Sequence, residues 1–160
     1  MLHPATTHFA IVLPLISLLI GLIYLIKPSE PMSKLSTRFI LFSALFMIVA
    51  FFTGKSDGSE VYMFISGEGQ KVLLEHKQFG LYLTIVMVFS AIIKFYGYAT
   101  QTLKVELFAI ILVAIVSGGV LYQGKIGGEL TYTYGAHVLK HSEGMDCLDD
   151  PEEFLEEDDE

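Results

Sequence analysis

The sequence predicts an all-α protein, a transmembrane four-helix bundle with a disordered acidic C-terminal tail. Three observations carry this. The chain of 160 residues is 52% hydrophobic with a mean hydropathy of +0.56, too apolar for an ordinary water-soluble domain. Four charge-free apolar runs recur along it. Acid is concentrated in the last stretch, EGMDCLDDPEEFLEEDDE, which holds eleven of the eighteen Asp and Glu. Without that stretch the formal net charge of −8 becomes +3. The chain therefore divides into a four-span membrane domain, 1–142, and a tail, 143–160, whose composition cannot build a core. There is no basic stripe, so nucleic acid is not an expected partner. The lone cysteine, Cys147, sits in the tail and cannot form an internal disulfide.

The runs are Phe9 to Ile26, Phe39 to Gly54, Gln78 to Ile93 and Leu107 to Gly124, each of 16 to 18 residues. At ~1.5 Å per residue the shorter ones cover ~24 Å, less than the ~30 Å hydrocarbon core. Flanking residues must therefore extend each helix, with Lys27, Arg38, Lys94 and Lys104 expected to snorkel to the interface. His76 belongs to the third helix, because QKVLLEHKQFGLYLTIV has no breaker before Gly80. The first run lacks a preceding Lys or Arg and a clear cleavage site, and reads as a retained span.

Four crossings place both ends of the domain on one side. All five histidines, His3, His8, His76, His137 and His141, fall there. Lys and Arg divide five against five, but the opposite side packs its five into short segments near the helix ends. Charges in such segments mark the cytoplasmic face, which puts the histidines and both ends outside.

An imidazole is costly near hydrocarbon unless something pairs with it. Residues five apart on a helix are turned by about 140°, so His3 and His8 cannot share one metal from a straight helix. Pro4 suits a first helical position, which leaves His3 at the rim and His8 in the first turns. His8 and His76 then arrive from different helices at similar depth, which is what a six-coordinate haem needs. Gly80, one turn below His76, would clear room for a flat macrocycle or allow close helix packing. The same imidazoles could instead join Asp57 or Glu60 around zinc or copper. His137 and His141 form a weaker pair, four apart. Ala114 and Gly118 form a small-xxx-small pair for helix packing, or for an oligomer through the fourth helix. The glycines of GKIGGELTYTYG suggest a turn or a close backbone approach, and Tyr132 and Tyr134 suit an interfacial belt.

HPATTHF, FFTG at Phe51 to Gly54, His76 opening the third span and GGELTYTYG together resemble an uncharacterised family of small bacterial membrane proteins. The likeness covers most of residues 3 to 138. His3, Pro4, His8, Gly54, Gly127, Gly128, Tyr132 and Gly135 fit its pattern. Ala10 stands where members often carry Pro, and Tyr134 where they often carry His. The family's architecture is similar to four-helix b-type cytochromes, which implies a haem or redox role in the bacterial inner membrane.

The functional expectation is a membrane electron carrier rather than a stand-alone enzyme. It would hold b-type haem near the periplasmic face through His8 and His76, with His3 as first substitute. No nucleophile–base pair, phosphate loop or dinucleotide fingerprint is visible. The acidic tail could steer a soluble cytochrome or another basic redox protein to the site. The alternative is a non-catalytic membrane scaffold or subunit, or a zinc- or copper-binding membrane protein.

Overall fold

The computed structural model describes residues 3–136. Four helices account for nearly all of them: α1 (His3–Ile26), α2 (Glu30–Val61), α3 (Gly67–Ala99) and α4 (Leu103–Tyr132). All four are long and apolar enough to cross a membrane. Each packs on its neighbours in chain order, and α4 closes the ring against α1. The result is the predicted four-span bundle, with α1 and α3 on one diagonal and α2 and α4 on the other.

The helices overrun the apolar runs that mark them. Residues 55–75, which lie between the second and third apolar runs, are helical except for Tyr62 to Ser66. No proline interrupts the stretch. Ser66 caps α3 by accepting from the Gly69 amide at 3.2 Å, with Glu68 in the first turn favouring the helix dipole. Likewise the glycines Gly124, Gly127 and Gly128 do not make a turn but lie inside α4, and only Gly135 adopts a left-handed φ, of 65°. At ~1.5 Å per residue, α2 and α3 are close to 50 Å long, well beyond the ~30 Å hydrocarbon core. Where α2, α3 and α4 project, they pack a second small core of Val61, Ile65, Leu130 and Ala136, with Tyr134 against it.

Large apolar side chains point outward, among them Leu19, Phe42, Ile92 and Ile115, as lipid requires. Inside, a core of Ile40, Met47, Leu83, Met87, Val113 and Val116 is joined by buried serines. Ser17 and Ser43 hydrogen-bond at 2.8 Å between α1 and α2. Ser90 donates to the Ala109 carbonyl at 2.8 Å, and Ser117 to the Pro14 carbonyl at 3.2 Å. Small hydroxyls let backbones approach and supply partners that hydrocarbon cannot. Such bonds close three of the four interfaces.

Close approach has a steric signature. A Cβ at Gly97 would stand 2.7 Å from Glu106 Cγ and 3.0 Å from the Glu106 backbone nitrogen, where the α3–α4 hairpin closes. At Gly118 nothing lies within 4 Å. Gly97→Ala is expected to destabilise the protein by about 1–3 kcal/mol through overpacking. Gly118→Ala should be neutral or mildly stabilising. Thermal unfolding of both variants in mild detergent, followed by circular dichroism, checks the contrast.

Candidate functional site

Polar chemistry collects at the two ends of the bundle. At the end bearing both described chain termini, α1 begins under a network supplied by α2. The His3 amide donates to Asp57 Oδ2 at 3.3 Å, placing a carboxylate at the positive end of α1. Thr6 and Thr7 donate to the His3 carbonyl at 3.0 and 2.6 Å, and the Thr6 and Thr53 hydroxyls meet at 3.0 Å. Thr53 Oγ1 also lies 3.4 Å from His3 Nδ1. The His3 ring rests directly on Gly54, where a Cβ would be 2.6 Å from Cε1. Thr53 and Gly54 thus act together: one orients the imidazole and the other makes room for it.

His76 repeats the arrangement on the other helix pair. Its ring approaches Gly127 of α4, where a Cβ would lie 3.3 Å from Cε1. Its carbonyl accepts from Gln123 Nε2 at 2.7 Å. His76 Nδ1 and Gln123 Oε1 are buried and have no hydrogen-bond partner among the described residues. His3 and His76 thus stand at the same end of the bundle, on α1 and α3.

The other candidates are placed differently. His8 is exposed, and its Nδ1–H donates to the Pro4 carbonyl of its own helix at 2.7 Å. The turn of about 140° between His3 and His8 means that only one of them can face inward, and the bundle selects His3. His8 thus turns away from the bundle interior, and His3 is the imidazole of α1 that packs against α2. The space cleared by Gly80 is taken by Gln123, whose Nε2 would lie 3.0 Å from a Cβ there, so it is not open for a macrocycle. Asp57 is engaged at the start of α1, and Glu60 lies exposed near the end of α2. Among the described residues, His, Cys, Asp and Glu form no group of three or more that could hold a metal ion. Ala114 and Gly118 both face outward, so this pair does not pack helices within the chain. Tyr132 is 91% exposed, whereas Tyr134 packs on Gly69. His137, His141 and the acidic tail lie outside the described residues.

The opposite end holds what sequence reasoning missed. Lys94, expected to snorkel to the interface, is fully buried and forms an ion pair with Glu106, itself 2% exposed. All four helices contribute. Tyr24 of α1 donates to Glu106 Oε1 at 2.8 Å, and Ser33 of α2 donates to Oε2. Lys94 Nζ donates to Thr37 Oγ1 at 3.0 Å and to the Ser33 carbonyl at 3.3 Å, and stands 5.0 Å from the centre of the Tyr24 ring. Glu106 lies in the first turn of α4, where the helix dipole favours a carboxylate. A partial signal was available: residues 94 and 106 each lie within two turns of the short 100–102 connection, which puts them at similar depth on adjacent helices.

A ring of four membrane-spanning helices, with imidazoles seated on glycines at one end and a saturated ion pair at the other, defines a compact integral-membrane bundle with polar ends. The chain belongs to the family described as "Predicted membrane protein (DUF2231)", whose profile matches residues 1–140. Comparison with curated proteins and with solved structures gives no match.

Removing one partner of a buried pair strands the other charge. Glu106→Leu is therefore expected to cost about 3–5 kcal/mol. The double variant Lys94→Met, Glu106→Leu should recover most of that loss. Denaturant titration of detergent-solubilised protein measures both.

Proposed function

We infer that this protein is an electron-transfer component of the bacterial inner membrane that binds b-type haem at its histidine end, where His76 and His3 would hold the iron. The observation that carries the reading is that an imidazole from each of two diagonal helices lies at this end, with its ring against a glycine of the adjacent helix. The donor set suits haem iron, which two neutral imidazoles satisfy without a third protein ligand. His76 Nδ1 is buried and has no partner among the described residues, so a group bound at this end would have a polar atom to satisfy. Iron held there would cycle a single electron at a potential set by its axial ligands and burial. The chain's own part is positioning. Gly54 and Gly127 let the rings approach, and Thr53 lies beside the Nδ1 of His3.

The Lys and Arg clustered near the ion-pair end support an orientation with the histidine end in the periplasm. The acidic tail would then offer a docking field to a basic soluble redox carrier. The outward pair Ala114 and Gly118 leaves α4 as the face for a second copy.

Purified from haem-replete cells, the protein is expected to carry iron and to show a Soret band. His76→Ala should abolish the band and His3→Ala should weaken or shift it, whereas His8→Ala should leave it intact. Absence of any Soret band, or an unchanged band in the His3→Ala, His76→Ala double variant, overturns the assignment. Zinc or copper in place of iron on elemental analysis would point to a different metal.

A further inference from the structure

The outer face of α3 carries a groove at the level where its apolar run begins. Glu75, Gln78, Phe79 and Tyr82 line an open space of about 170 Å³. For scale, a cavity of ~150 Å³ holds a benzene ring. The four residues follow the i, i+3, i+4, i+7 pattern that sets side chains on one side of a helix. Phe79 is held in place, since it packs against the buried core and meets Tyr122 of α4 edge-on, with ring centroids 5.7 Å apart.

The polar groups of the groove are ordered by depth. Gln78 opens the third apolar run, and Glu75 lies three residues further out, ~4.5 Å along the helix axis. Tyr82 starts one turn deeper, but its side chain runs back toward the beginning of the helix, and its hydroxyl accepts from Gln78 Nε2 at 3.0 Å. The Tyr82 hydroxyl proton and the second hydrogen of the Gln78 amide are then left to donate outward. Glu75 is exposed and enters no ion pair among the described residues. The groove therefore offers a carboxylate on its water side, two donors on its membrane side, and an aromatic ring beside them. Exposed Ile85 and Phe89 continue below it into the span. A matching amphiphile carries its cation outermost, its anion next and its hydrocarbon last, which is the order of groups in a zwitterionic phospholipid.

We propose that this groove binds the headgroup of phosphatidylethanolamine, with the ammonium on Glu75, the phosphate on the Tyr82 hydroxyl and the Gln78 amide, and the chains over Ile85 and Phe89. A primary ammonium donates hydrogen bonds to a carboxylate, whereas the trimethylammonium of phosphatidylcholine has none to give. The competing cation within the chain is Lys71, one turn further out on the same face. The site uses no histidine and stands apart from the haem reading.

The test is native mass spectrometry of the full-length protein in mild detergent, exposed to an equimolar mixture of dioleoyl phosphatidylethanolamine and dioleoyl phosphatidylcholine. Retention of phosphatidylethanolamine over phosphatidylcholine by roughly fivefold is expected, the worth of one well-formed ion pair at a partly exposed site. Glu75→Gln should remove the preference. Tyr82→Phe should weaken both lipids by roughly fivefold, because it touches the phosphate they share. Tyr96→Phe, exposed on α3 at the opposite end, should change neither. Glu75 and Tyr82 are exposed, so the fold tolerates these substitutions, and circular dichroism verifies it. Equal retention of the two lipids by the unaltered protein means that Lys71 or water serves Glu75, and overturns the site. A preference that survives Glu75→Gln, or unchanged binding in Tyr82→Phe, overturns it as well.

Discussion

In hydrocarbon no water is at hand to complete an unfinished hydrogen bond, and this constraint organises the whole bundle. Its strictest expression is the Lys94–Glu106 pair. Two charges sealed from solvent persist only when every remaining donor and acceptor around them is satisfied. Tyr24, Ser33 and Thr37 do this from the two helices that the ion pair itself does not use. The consequence is positional. A residue-length slip of any one helix would break at least one of these bonds, so the cluster fixes the register of all four helices at once. The serines along the interior repeat the same logic at lower stakes, joining helices in pairs.

Space is controlled as strictly as polarity. Gly54, Gly97 and Gly127 each sit where a neighbouring side chain presses against the backbone. Two of them receive imidazoles and one receives the glutamate. The glycines of α4 illustrate how context overrides propensity. Each weakens an isolated helix, yet in a membrane the backbone gains nothing by leaving its own hydrogen bonds, and small residues are tolerated where packing needs them.

The spans were legible because lipid imposes a compositional signal that needs no partner: sixteen or more apolar residues without charge. His76 was correctly read into α3 for the simple reason that no breaker precedes Gly80. What could not be read residue by residue was facing. His3 and His8 are equivalent as letters, and only the packing of α1 on α2 decides which turns inward. Lys94 was misjudged by a rule for isolated lysines at helix ends, because its partner lies across a hairpin rather than on its own helix. The extensions of α2, α3 and α4 escaped notice because their polar composition resembles a loop, whereas their stability comes from Val61, Ile65, Leu130 and Ala136 packing beyond the apolar runs.

Those extensions have a further consequence. α1 is 24 residues long, close to bilayer thickness, while the other three continue as a collar with its own interior. A membrane that thins or thickens must be accommodated by tilt or by rearrangement at the lipid boundary. The collar is braced by its own small core of Val61, Ile65, Leu130 and Ala136. A change in bilayer thickness is therefore expected to be taken up by the apolar spans before it disturbs the imidazoles at the collar's base.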